Sequence, residues 1–132
     1  TYADRVTFHD GEGHPFPGIS VHCLPGHSKG MQAVRVNTAR GAVLLASDVS
    51  HYYANFPRLS PFILTIDTAE TMESYKKLLD LVGGDVQRII PGHDPKVKRL
   101  YPNHSYGGVD LVALHETPKP HTIADMRRVD DF

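Results

Sequence analysis

Three stretches of this chain, Leu24-Pro25-Gly26-His27-Ser28-Lys29-Gly30, Val43-Leu44-Leu45-Ala46-Ser47-Asp48 and Arg88-Ile89-Ile90-Pro91-Gly92-His93-Asp94, follow a hydrophobic run with a His or an Asp. In each, a β-prone segment stops and the polar side chain follows at once, where the backbone leaves the sheet. Imidazole nitrogen and carboxylate oxygen are ligands that suit zinc, iron or manganese, and such sites are commonly assembled from several strand ends. One His so placed would carry little weight. Three polar side chains in the same position relative to a strand predict a site at one edge of a sheet.

The segments around these stretches fill in that sheet. Arg5 to Phe8 reads as a strand, and Asp10-Gly11-Glu12-Gly13 supplies turn residues that tolerate positive φ. Pro15, Pro17 and Gly18 prevent a helix and lead into Ile19 to Leu24, where Ile19, Val21 and Cys23 alternate with Ser20 and His22. Ala33 to Asn37 repeats the alternation, and Arg40-Gly41 is a hairpin turn. Ala42 to Ala46 is almost wholly apolar, as in a strand covered on both faces. A helix follows Asp67, its N-cap, with Glu70 as capping-box partner. Met72, Tyr75, Leu78, Leu79 and Val82 keep the helical period, and Gly83-Gly84 stops it. Val86 to Ile90 predicts another strand, Pro95 to Leu100 a short helix, Val109 to Leu114 a strand and Ile123 to Val129 a short helix. The 132 residues make one domain, or half of one.

Composition narrows the function classes. At 40% hydrophobic and 22% charged the chain is of ordinary globular make-up, neither disordered nor membrane-spanning. A formal charge of −1 lacks the concentrated basic surface that nucleic acid requires. The basic run Lys96 to Arg99 reads as a solvated face. Cys23 is the lone cysteine, which excludes an internal disulfide and fits a reducing compartment. No basic stretch followed by an apolar core opens the chain, so a cytoplasmic location is the expectation.

In order and local sequence, Pro25 to Gly30, Asp48 after Val43-Leu44-Leu45, and Gly92-His93 resemble the second part of the metallo-β-lactamase fold superfamily, in its N-acyl homoserine lactonase branch. The resemblance runs from about Gly13 to about Pro102, and 103–132 diverges from it. The superfamily's His-x-His-x-Asp-His string, which belongs to the first half of that fold, does not occur here, and Thr1 is not an initiator Met. The resemblance therefore implies an α/β architecture, the C-terminal half of an αββα sandwich, with the N-terminal half as missing partner. A homodimer is a possible assembly.

What the resemblance implies for the site is specific. Two divalent metal ions are expected, zinc first, with iron or manganese as alternatives. His27 would complete the ligands of the first, Asp48 would bridge both, and His93 would bind the second. The residues alone leave local readings open: His27 as a turn histidine bonded to backbone, and Asp48 as the N-cap of a short helix from about Val49 to Asn55. Asp94 reads as a cap for the turn at Pro95 or an acceptor for a neighbouring His. In the lactonases a Tyr lies three residues past the bridging Asp; here that place holds His51, followed by Tyr52. Either could polarise a substrate carbonyl or donate a proton to the leaving group. The other six histidines (9, 14, 22, 104, 115 and 121) read as surface or loop residues. The expected activity is hydrolysis of a small-molecule lactone or related ester by a metal-held hydroxide. The alternative is a non-catalytic fragment or module that needs its N-terminal half or a partner chain.

Overall fold

The metal-ligand candidates follow three strands of a five-stranded sheet. The computed structural model describes residues 3–122 and 125. A sheet in the order β1-β2-β3-β4-β5 is built from Glu12–Phe16, Ile19–Cys23, Gln32–Thr38, Gly41–Ser47 and Ile89–Pro91. The first four strands form an antiparallel meander, and β5 lies parallel to β4. A parallel neighbour cannot be reached by a tight turn, so the chain crosses through α1 (Asn55–Arg58) and α2 (Thr68–Leu81). After β5 come α3 (Lys96–Leu100) and a separate hairpin, β6 (Asn103–Tyr106) with β7 (Val109–Val112).

Alternation along the strands decides what each face packs against. Leu24, Ala33, Leu44, Ala46 and Ile89 point to α2 and close a core with Val49, Phe56, Tyr75, Leu78 and Val82. On the other face Val43, Ile90 and Tyr101 pack with Leu45, Val97, Leu100, Val112 and Leu114. The apolar run of β4 is thus covered on both sides. Towards the outer strands that second face is less covered: the cross-strand pairs Ile19↔Val36 and Val21↔Val34 are only half-buried.

The helix α2 begins where its cap demands. The Asp67 side chain accepts from the Glu70 N–H, satisfying a donor that the first turn would otherwise leave unpaired. Glu70 does not complete a capping box, because Lys29 reaches its Oε1 at 2.8 Å. Gly83 and Gly84 end the helix at φ of 64° and 80°.

Several boundaries differ from the sequence reading. Arg5 to Phe8 is not a strand: Ala3–Arg5 is a 3₁₀ turn, and the outer strand starts at Glu12. Pairing with β2 overrides the local turn signals there, and Pro15 is tolerated because β1 is an edge with a register shift between Gly13 and Phe16. Val86–Arg88 is a 3₁₀ turn capped by Asp85, so β5 keeps only Ile89–Pro91. β6 has no apolar alternation to announce it. It forms because Gly107 and Gly108, at φ of 58° and 79°, make the left-handed two-residue turn that joins it to β7. The expected helix at Ile123 to Val129 lies outside the described residues, Asp125 apart.

The turn carrying His27 is clamped to the start of α2. Gly26 sits at φ 136°, its carbonyl accepts from Ile66 and Asp67, and Ser74 donates to the Pro25 carbonyl at 2.6 Å. A methyl group at Gly26 would lie 2.6 Å from the Thr71 backbone nitrogen. Gly26→Ala is therefore expected to destabilise the protein by about 2–4 kcal/mol in denaturant unfolding, combining overpacking with the left-handed strain. Gly30→Ala, with nothing within 4 Å of the added carbon, serves as the mild comparison.

Candidate metal centre

Two strand ends are stitched together before any side chain is considered. β4 closes at Ser47, whose φ of 47° turns the chain sharply and sets Asp48 above the sheet edge. Gly92, following β5, donates its N–H to the carbonyls of Ser47 and Ser50 at 3.2 and 3.0 Å. His93 N–H donates to the His51 carbonyl at 3.0 Å. The approach requires glycine: a Cβ at Gly92 would meet the Ser47 carbonyl oxygen at 2.7 Å. Asp94, buried, completes the stitch by accepting from the N–H groups of Tyr53 and Lys96, each at 2.9 Å. The capping reading of Asp94 holds; no histidine is bonded to it.

Side chains then converge. Asp48 Oδ1 makes a close contact with His93 Nε2 and lies 3.6 Å from His51 Nε2. One donor atom from each of Asp48, His51 and His93 falls within 4.8 Å of the others. The His51 ring stacks on His93 with centroids 5.0 Å apart and on Phe62 at 4.0 Å. The His27 ring is tilted against that of His51, centroids 5.2 Å apart, and its Nδ1 is buried without a hydrogen-bond partner. An unpaired buried imidazole nitrogen costs free energy unless something coordinates or bonds it. Burial pushes the His51 imidazole below the ordinary histidine range; His93 and His27 add to this, while Asp48 opposes it. A neutral His51 is the form that can ligate a metal or donate from one nitrogen.

Of the residues singled out in the sequence, the structure brings Asp48, His51 and His93 together, with His27 beside them. Tyr52 is further out, its ring centroid 6.4 Å from that of His51 and edge-on to Phe62 at 5.9 Å. Asp48 is not the cap of a helix from Val49 to Asn55; the segment after it is turns, and α1 begins at Asn55. His51, set apart in sequence as a substrate-polarising group, proves to aim a nitrogen at the same carboxylate as His93. Two of the histidines read as surface or loop residues are buried, His121 in a loop and His22 within β2. His22 is bonded to Ser20 Oγ at 2.8 Å, and His121 Nδ1 donates to the Lys119 carbonyl and packs near the Tyr53 ring. Phe62 was not singled out; the apolar string Pro61-Phe62-Ile63-Leu64 inside a loop was the signal for it.

The donor set, nitrogens and carboxylate oxygen with an orphaned buried imidazole among them, fits zinc or a similar divalent ion. The fold is part of that of the metallo-β-lactamase-fold hydrolases among its solved neighbours. No family model matches the chain. Its homologues are N-acyl homoserine lactonases: it is 32% identical over 99 residues to N-acyl homoserine lactonase AiiA of Bacillus thuringiensis subsp. kurstaki, a match covering 72% of this chain and 39% of the relative. A Bacillus cereus N-acyl homoserine lactonase is 33% identical over 86 residues. Among solved structures, an N-acyl homoserine lactone hydrolase with the product N-hexanoyl-L-homoserine at its catalytic metal centre superposes with TM-score 0.62 and 32% identity, over 69% of this chain and 36% of that one. A probable metal-dependent hydrolase from Staphylococcus aureus, at 16% identity and TM-score 0.61, shares the fold. The chain thus spans about two fifths of the length of the curated relatives it matches.

Zinc titrated into the protein is expected to bind at this cluster. Asp48→Asn should weaken that binding by about 10²-fold or more, exceeding the loss that follows removal of an outer-shell partner, as calorimetry can measure.

Proposed function

We propose that this chain supplies one side of the active site of a metal-dependent hydrolase acting on lactones or related small esters. The observation that carries the reading is the convergence of Asp48, His51 and His93 beside His27, at strand ends, in a chain whose homologues are lactonases. His27, Asp48 and His93 would hold two divalent ions, zinc as first choice, with Asp48 offering one oxygen to each. When bound, the ions supply Lewis-acid polarisation of a carbonyl and an activated water.

This chain's own groups account for the rest of the chemistry. His51 is stacked between Phe62 and His93, so its ring is held in one orientation. Its neutral imidazole donates a hydrogen bond to the substrate carbonyl, and its protonated form a proton to the leaving oxygen; Tyr52, next in the chain, is the alternative donor. Phe62, stacked on His51, gives the site an apolar wall, which suits an ester with a hydrocarbon acyl group more than a charged one.

A second observation bears on how much of the enzyme is present. The half-buried apolar stripe of Ile19, Val21, Val34 and Val36 is a face suited to covering by a further layer, and two or three protein ligands per ion make a poor site. The reading is therefore of a module that works with a complementary N-terminal half. In isolation the 132 residues are expected to turn over lactone poorly, and restoring that half should bring metal-dependent turnover. In the completed enzyme His51→Ala is expected to lower kcat by about 10²-fold or more with metal content unchanged. An unaltered kcat, with Tyr52→Phe impaired instead, moves the role to Tyr52; lost metal places His51 among the ligands.

A further inference from the structure

The carboxylate of Asp94 has both of its oxygens taken up by backbone. Oδ2 accepts from the Tyr53 N–H and Oδ1 from the Lys96 N–H, each at 2.9 Å. The first of these bonds closes a ring. His93 N–H donates to the His51 carbonyl, and Tyr53 N–H donates back to the residue after His93. Only Tyr52 stands between the two attachment points on the turn that follows β4. Among the described residues the donor atoms that converge are those of Asp48, His51 and His93, and Asp94 is not one of them.

Chemistry decides the residue type at this position. Both groups facing the side chain are N–H donors, so both of its terminal atoms must accept. Asparagine offers one accepting oxygen and one NH₂, and in either orientation the NH₂ faces an N–H. Asp94 is buried, so water does not readily replace the lost acceptor. The consequence falls on His93. Its side chain is 55% exposed, so its position is inherited from the backbone more than from packing. The Lys96 bond carries the constraint on into α3, whose Val97 and Leu100 pack on the second face of the sheet.

We propose that Asp94 is a positioning residue of the metal centre: through the Tyr53 and Lys96 N–H groups it fixes the His51 turn to the His93 turn, and the affinity of the centre for a divalent ion depends on its carboxylate. The inference rests on the reading that Asp48 and His93 hold metal. In the usual outer-shell arrangement a carboxylate accepts directly from a ligating imidazole. Here the support runs through the backbone, because the groups that Asp94 engages are peptide N–H groups of the two turns.

Zinc titration by calorimetry, together with amide hydrogen exchange followed by NMR, tests it. The expected result is slow exchange at Tyr53 and Lys96 in the unsubstituted protein. Zinc affinity should fall about 10–100-fold in Asp94→Asn, the scale of lost outer-shell support. Val82→Ala, which thins the core at the C-terminal end of α2, should lose stability and keep its zinc affinity. That contrast separates placement of the ligands from general loosening. Fast exchange at the Tyr53 amide of the unsubstituted protein would overturn the clamp, whether or not Asp94→Asn folds. An Asp94→Asn protein that binds zinc as tightly as the unsubstituted one would also overturn it, and would leave the metal centre itself standing. No zinc bound by the unsubstituted protein would overturn the centre and the positioning role with it.

Discussion

The Gly92 N–H, shared between the carbonyls of Ser47 and Ser50, is the constraint on which the rest of the structure depends. It fuses the ends of two parallel strands that are forty-odd residues apart in sequence, at a point where no side chain fits. With that junction made, Asp48 and His93 cannot avoid each other. The His93–His51 backbone bond and the paired acceptors of Asp94 lock the same two turns further. A metal centre needs its ligands held to fractions of an ångström, and here backbone hydrogen bonds between the two turns supply that precision.

Much of this was legible in the chain. The continuous apolar run before Asp48 and the Pro-Gly-His turns at Gly26 and Gly92 each carry a local physical signal: burial on both faces in one case, a close backbone approach in the others. The α2 helix announced itself through period, cap and glycine stop. What escaped was non-local. No periodicity says that β1 begins at Glu12 and not at Arg5, because pairing with β2 decides it. β6 is polar and exposed throughout, and only the Gly107-Gly108 turn hints at it. The burial of His22 follows from alternation placing it on the same face as Ala33, its partner on β3, a long-range fact about which face α2 covers.

The structure brings together residues that the sequence singled out, but their arrangement was not legible in it. His51, Asp48 and His93 were all named, yet sequence spacing cannot tell that a residue three positions past Asp48 turns its nitrogen back on that carboxylate. Phe62 illustrates the same limit: it comes from the crossover between β4 and α2, and its stacking on His51 is a consequence of where that crossover lies. Related lactonases extend well beyond the region matched here, and the apolar stripe of β2 and β3 is only half-buried.

The claim at the centre of this account is that His27, Asp48 and His93 hold metal. Crystals of the protein grown with zinc, measured at the zinc absorption edge, test it most directly. The account expects an anomalous peak about 2 Å from an Asp48 oxygen and from His93 Nε2. Zinc-bearing crystals with no peak between those two side chains would contradict it.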